Sequence, residues 1–153
     1  MTKHKIIIIY ESYHHHNTEK IAQVIAQRLK ADLVRPNQIE VTELKNYNLI
    51  GIGSGIYFGK LHPKVRDFIV NMKLFPENKC FLFITSGIKS KKYAQNIMNQ
   101  MLNKGVKVLD YFACKGFDTY GPLKLAGGIN KGHPDLGDLY QAELFANRLI
   151  NQL

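Results

Sequence analysis

Residues 5–31 read KIIIIYESYHHHNTEKIAQVIAQRLKA, and this stretch decides the fold class. Its first part, Lys5–Tyr10, is an unbroken and mostly β-branched run, which predicts a strand covered on both faces. A polar loop follows, and from about Thr18 to Ala31 apolar residues recur at helical spacing. A buried strand that passes through a short loop into a helix is the unit of an alternating α/β fold.

The same alternation continues to the end of the chain. Further strands are predicted at Leu33–Val34, Tyr47–Ser54, Cys80–Thr85 and Val106–Cys114, and further helices at Pro63–Met72, Ser90–Lys104 and Asp138–Leu153. Right-handed crossovers then give a parallel five-stranded sheet of order 2-1-3-4-5, with helices on both faces. The first and last helices share one face and the middle two cover the other. No repeat or linker divides residues 1–153, so we expect one domain.

A Rossmann nucleotide domain is the main alternative with this alternation. It requires a glycine fingerprint directly after the first strand, and residues 11–18 contain no glycine. The order 2-1-3-4-5 is therefore favoured.

Composition limits the cellular setting and the partners. The amino-terminal apolar run is too short for a membrane span or a secretory signal, so we expect a cytoplasmic protein without a membrane span. Cys80 and Cys114 each lie in an apolar run, which predicts buried free thiols. The net charge of +9 can attract nucleic acid, anionic lipid or an acidic protein partner, but the basic residues form no nucleic-acid-binding motif, so charge alone supports a nucleic-acid or membrane-surface protein.

Ligands of such sheets bind beyond the carboxyl ends of the strands, where the strand order reverses. The first loop there carries Ser12, Asn17 and Thr18, whose side chains together with free helical N–H groups suit a phosphate. The alternative is that Asn17 or Thr18 only caps the helix. The consecutive histidines 14–16 are a poor metal site, because neighbouring residues rarely converge on one ion.

The next two loops are distinctive as well. In GSGIYFGK, residues 53–60, Tyr57 and Phe58 are bracketed by glycines and offer a flat surface beside a ligand, or else pack as a satellite core. In TSGIK, residues 85–89, hydroxyls and a glycine follow the fourth strand, which also fits a plain turn. The connection from Gly116 to Gly137 is long enough to be functional, and Phe117, Asp118, Thr119 and Tyr120 in it could line the ligand edge or a substrate pocket. The alternative is a surface excursion or an oligomer contact.

Together, YESYHHHNTEKIA, GIGSGIYFGK and FITSGIKS on an alternating α/β chain resemble the flavodoxin family, over essentially the whole sequence. The resemblance implies a flavodoxin-like three-layer sandwich that binds FMN noncovalently. It implies that Ser12, His14, Asn17 and Thr18 hold the phosphate and that the isoalloxazine ring lies between the second and third loops, with Tyr57 or Phe58 stacked on it. The implied cofactor-binding residues are Ser12, His14, His16, Asn17, Thr18, Ser54, Gly55, Ile56, Tyr57, Phe58, Gly59, Thr85, Ser86, Gly87 and Ile88.

Two departures from the family pattern have physical consequences. His16 stands where flavodoxin-like loops usually carry glycine, so a positive φ there would strain the backbone by about 1–3 kcal/mol. The third loop lacks an acidic residue, and Lys89, Lys91 and Lys92 lie at its end or just after it. Positive charge raises the potential of a flavin, so we expect a milder reductant than a typical flavodoxin.

The sequence thus favours an FMN-binding electron-transfer protein or a small FMN-dependent oxidoreductase with quinone or a similar acceptor. No residue stands out as an obligatory acid or base. The expected partners are a redox protein, acidic where it meets the basic surface, or a small electron donor or acceptor, with an oligomer as a further option. The alternative function is a flavodoxin-fold binding module that no longer holds FMN.

Overall fold

The computed structural model describes residues 3–13, 15–88, 90–117 and 127–153, with the backbone alone for Ser90. Its strands are β1 (Ile6–Glu11), β2 (Asp32–Val34), β3 (Leu49–Tyr57), β4 (Lys60–Leu61), β5 (Lys79–Ser86) and β6 (Val108–Lys115). Its helices are α1 (Asn17–Leu29), α2 (Pro63–Asn71), α3 (Ser90–Asn103) and α4 (Leu136–Asn151).

The sheet has the order β2-β1-β3-β5-β6, and these strands are all parallel. This confirms the predicted order 2-1-3-4-5 of the flavodoxin-like sandwich. The sequence did not predict β4, which pairs antiparallel with the end of β3. It also did not predict the short 3₁₀ turns Pro36–Gln38 and Val41–Asn46, which lead from β2 to β3.

Alternate side chains of β1 enter two separate apolar layers. Ile8 and Tyr10 pack with α1 and α4, whereas Ile7 and Ile9 pack with α2 and α3. A strand that is covered on both faces needs apolar side chains at every position, which is the reason for the unbroken run in the sequence. The predicted pairing of helices on the two faces is confirmed.

The glycines of β3 make room for aromatic rings of its neighbour β5. A Cβ atom on Gly53 would lie 2.0 Å from Cζ of Phe83, and one on Gly51 would lie 2.3 Å from Cζ of Phe81. Both rings are fully buried. The run GIGSG is therefore the interior of a strand at the centre of the sheet, and it continues to Tyr57, beyond the predicted end at Ser54.

Both cysteines are buried free thiols, as predicted. Burial raises the pKa of each to about 12, so neither is a thiolate at neutral pH. In the turn before α4, Asp135 caps the helix by accepting a 2.9 Å hydrogen bond from the Asp138 N–H. Among the described residues, no helix combines the length and apolarity that crossing a membrane requires.

Candidate functional site

The candidate site is a cavity of about 110 Å³ at the carboxyl ends of β1, β3, β5 and β6. It lies where the chain leaves the sheet on either side of the reversal in strand order, as expected for an open α/β sheet. Its described lining consists of Tyr13, Asn17, Thr18, Gly55, Ile56, Tyr57, Phe58, Thr85, Ser86, Gly87, Gly116 and Phe117.

The amino end of α1 is built differently from the predicted cap. The N-cap residue is His16, whose φ of 54° is left-handed and whose side chain makes no capping bond. Ser12 supplies the cap instead, because its Oγ accepts a 3.2 Å hydrogen bond from the Glu19 N–H. Neither Asn17 nor Thr18 caps the helix, so both side chains are available for other contacts.

Asn17 connects α1 to the segment after β6. Its Nδ2 donates a 2.9 Å hydrogen bond to the carbonyl of Phe117. A Cβ on Gly116 would lie 2.5 Å from that nitrogen, so only glycine fits there. The other amide atom, Oδ1, is buried and has no hydrogen-bond partner among the described residues. A buried acceptor of this kind is costly unless a ligand or water donates to it.

The floor of the cavity is polar and closely packed. The hydroxyl oxygens of Thr18 and Thr85 lie 2.9 Å apart and share a hydrogen bond. The Gly116 N–H donates to the Ser86 carbonyl over 3.1 Å, and Asn130 Nδ2 donates to the Gly87 carbonyl over 2.5 Å. The carboxyl end of β5 is therefore held in place from two sides.

The aromatic wall of the cavity is a two-residue hairpin between β3 and β4. Phe58 and Gly59 have φ angles of 51° and 76°, as a type I′ turn requires. The turn leaves Phe58 82% exposed at the rim. Ser54 fixes the base of this hairpin, because its hydroxyl donates to the Gly55 carbonyl and accepts from the His62 N–H, over 2.6 and 2.9 Å.

A cluster of charged groups fixes the outer side of the α1 terminus. Glu19 accepts a 3.1 Å hydrogen bond from the Tyr10 hydroxyl and lies 3.0 Å from His16 Nδ1. Arg35 pairs with Glu11 and stands 3.5 Å from Glu19. Burial, together with the Glu19 carboxylate, raises the pKa of the Tyr10 phenol against the opposing effect of Arg35.

Most of the residues predicted from the sequence come together in the cavity lining: Asn17, Thr18, Gly55, Ile56, Tyr57, Phe58, Thr85, Ser86 and Gly87. Ser12 and Ser54 lie behind the lining and support it, His16 faces solvent beside Glu19, and Gly59 and Ile88 lie in the rim turns. His14, Lys89 and residues 118–120 of the long connection lie outside the described residues. A role for any of these residues in cofactor binding stays a prediction.

Tyr13 and Gly116 also line the cavity, although the predicted set omitted them. Phe117, which the sequence left open between a ligand edge and an oligomer contact, lies in the lining as well. Its ring centroid is 4.3 Å from that of His15. A glycine directly after the last strand was the available signal, since it marks a close approach of backbone to another group.

One group among the described residues has the side chains of a metal site, namely His133, Asp135 and Asp138. Asp138 Oδ2 lies 2.6 Å from His133 Nδ1 and also accepts from the Asp135 N–H over 2.8 Å. These contacts are those of a helix cap, and they explain why the three side chains lie close together without an ion between them.

The fold and the cleft define a flavodoxin-like α/β protein with a cavity at the carboxyl edge of its sheet. A family model described as the flavodoxin domain matches residues 7–120. MJ0298, an uncharacterized protein of Methanocaldococcus jannaschii, is 40% identical over 148 residues, which are 95% of this chain and 98% of that protein. The chain belongs to the flavodoxin domain family.

Solved structures show the same fold. Oxidised flavodoxin 1 of Bacillus cereus superposes with a TM-score of 0.74 at 17% identity, covering 97% of this chain and 99% of that one. A flavodoxin from the domain Archaea superposes with a TM-score of 0.70 at 17% identity, covering 97% of each chain.

Proposed function

We propose that the cavity at the carboxyl edge binds FMN and that the protein transfers electrons through it. The observation that carries the proposal is Asn17, which lines the cavity and whose buried Oδ1 has no hydrogen-bond partner among the described residues. The ribityl hydroxyls of FMN are donors of the kind that this atom lacks. The chain's membership of the flavodoxin domain family supports the same ligand.

The residues present fit the polar part of FMN. Asn17 and Thr18, the first two residues of α1, line the cavity, and the free N–H groups and positive dipole end of a helix amino terminus favour a phosphate. Thr18, Thr85 and Ser86 add buried hydroxyls. In this proposal Ser12 supports FMN binding indirectly, because its hydroxyl caps α1 and holds the first turn of the helix in place.

The residues present also fit the ring. Tyr57 and Phe58 supply aromatic surface on one side, and the Thr85–Gly87 turn supplies close-packed backbone on the other. An aromatic contact of this kind contributes about 0.5–1.5 kcal/mol beyond the area it buries. Tyr13 and Phe117 extend the aromatic rim.

FMN supplies reversible one- and two-electron transfer when it is bound. The described lining contains no carboxylate, lysine, histidine or cysteine, so this part of the protein offers binding and orientation rather than a strong acid or base. This suits an electron carrier, or an oxidoreductase whose substrate meets the flavin at the rim. The charge of +9 favours an acidic redox protein as its partner.

The Asn17→Asp variant tests the site directly. The substitution keeps the shape of the side chain, but it replaces the Nδ2 donor to the Phe117 carbonyl with an oxygen and places a negative charge in the first turn of α1, where the phosphate is proposed to bind. We therefore expect FMN to bind at least about tenfold more weakly. Binding is measured by the quenching of FMN fluorescence. Asn99→Asp is the matched control, because Asn99 is exposed on α3 and outside the cavity.

Equal losses in the two variants would show that Asn17 is not in the FMN site. If the unmodified protein neither quenches FMN fluorescence nor acquires flavin absorbance, the FMN proposal is wrong. The binding module without FMN then becomes the better description of the protein.

A further inference from the structure

A second cavity adjoins the proposed FMN site at the aromatic hairpin. It is bounded by Tyr13, Tyr57 and Phe58, which also line the first cavity, and by side chains of β4 and the start of α2. None of the polar residues on the floor of the first cavity lines it. The two spaces therefore share an aromatic wall but differ in the chemistry of their other walls.

The second cavity carries positive charge. Lys60 and Arg66 line it, both are exposed, and neither forms a salt bridge within the described part of the chain. No carboxylate is part of its described lining. Glu11 acts electrostatically on this region, but its charge is already balanced by Arg35. An anion that enters the cavity therefore meets two cations without a competing acid.

His62 adds a hydrogen-bond donor whose tautomer is fixed by the backbone. Its Nδ1 accepts a 3.1 Å hydrogen bond from the Lys64 N–H, so in the neutral ring the proton is on Nε2. Burial, together with nearby Lys64 and Arg66, lowers the pKa of His62 despite Glu11, and this keeps the ring neutral. The ring stands edge-on to Tyr57, with centroids 5.5 Å apart.

Phe58 takes part in the aromatic wall although its backbone conformation is unfavourable. Phe58 has a left-handed φ of 51° and is 82% exposed, and a bulky residue rarely adopts that conformation. Asparagine or aspartate would suit this turn position better. An exposed aromatic side chain at a strained position is explained when it contributes a flat surface for a ligand.

We propose that this second cavity binds a planar aromatic molecule that carries an anionic group such as a carboxylate, sulfonate or phosphate. The ring packs on Tyr57 and Phe58, and the anionic group pairs with Lys60 and Arg66. A bound molecule whose ring is itself redox-active, such as a quinone, would be reduced by the reduced flavin at this shared wall, and its hydroquinone would be oxidised by the oxidised flavin. This redox role rests on the proposed FMN function, whereas the binding itself does not.

The test uses naphthalene-2-sulfonate and uncharged naphthalene-2-methanol as probes of the same ring size, with titration calorimetry on the full chain. The sulfonate should bind about threefold to tenfold more tightly than the alcohol, with the advantage shrinking as salt is added. The Lys60→Gln/Arg66→Gln double variant should lose that advantage. Lys45→Gln is the control for lost charge, because Lys45 precedes β3 at the opposite edge of the sheet.

Equal affinity for the two probes would overturn the proposal, as would an equal loss in the double variant and in Lys45→Gln. Each titration is repeated with one equivalent of FMN per chain, so that no free FMN, itself a planar aromatic anion, competes for the second cavity. Loss of sulfonate binding under these conditions would show that the sulfonate occupies the first cavity, which also overturns the proposal. If FMN fails to bind while the sulfonate still binds through Lys60 and Arg66, the proposed function fails and the second site stands.

Discussion

His16 occupies a backbone conformation that usually falls to glycine. Both His15 and His16 have φ angles of 54°, and the left-handed region costs an ordinary residue roughly 1–2 kcal/mol. Histidine tolerates this region better than most residues do. The contact between His16 Nδ1 and the Glu19 carboxylate is mostly exposed and stabilises the fold by at most about 1 kcal/mol. The strain expected from the sequence is therefore present, and the loop keeps its conformation despite it.

The substitution His16→Gly should relieve that strain. We expect the free energy of unfolding to rise by about 0.5–1 kcal/mol, measured by urea denaturation without FMN. Lys30→Gly is the matched control, since Lys30 ends α1 with the same φ of 54°. A loss of stability in His16→Gly, alongside a gain in Lys30→Gly, would show that the contact with Glu19 outweighs the backbone strain.

At the scale of elements, α1 depends on a residue outside the helix. Ser12 lies in the loop after β1, and its hydroxyl satisfies the Glu19 N–H of the first turn. Loss of a capping hydroxyl costs about 1 kcal/mol. We therefore expect Ser12→Ala to lower the free energy of unfolding by that amount in the absence of FMN, as measured by urea denaturation.

Ser12→Thr, which keeps the hydroxyl, should retain most of the stability and serves as the control. If Ser12→Ala unfolds like the unmodified protein but binds FMN more weakly, Ser12 contacts the ligand and the capping role is wrong.

The sequence predicted the long elements well and the short ones poorly. Periodicity over many residues located the four α-helices of the described residues to within a few positions, and the β-branched run of β1 predicted a strand covered on both faces. The Phe58–Gly59 turn escaped prediction because β4 has only two residues and phenylalanine is atypical of a type I′ turn. The capping role of Ser12 was not predicted either, because the hydrogen bond that its hydroxyl accepts from the Glu19 N–H spans the three histidines of the loop.

The whole molecule brings together residues that are far apart in the chain. Loop positions at strand ends predicted the contributions of β1, β3 and β5 to the cavity, because parallel strands end at one edge. The contact of Asn17 with Phe117 spans 100 residues and depends on the missing side chain of Gly116. No local pattern encodes that pairing, so Gly116 was not among the predicted site residues.

Two lysines near the candidate site should also act on the redox potential of bound FMN. Lys91 and Lys92 lie in the first turn of α3, directly after the loop that follows β5. Their charges stabilise the negative charge that a flavin gains on reduction, which makes the protein a milder reductant. We expect Lys91→Glu/Lys92→Glu to lower the midpoint potential of the FMN-loaded protein by on the order of 20 mV for each substituted lysine.

Lys45→Glu/Lys104→Glu is the control, because these residues lie at the opposite edge of the sheet, before β3 and after α3. Equal shifts in the two double variants would mean that net charge, rather than the position of Lys91 and Lys92, sets the potential. A midpoint potential of the unmodified protein as low as that of acidic flavodoxins would contradict the expectation of a milder reductant.

The most direct test of the central claim is a fluorescence titration of FMN with the purified protein, run in parallel with riboflavin. The account predicts saturable quenching with one FMN per chain, and weaker binding of riboflavin because it lacks the phosphate that the first turn of α1 attracts. Unchanged FMN fluorescence at high protein concentration would contradict it.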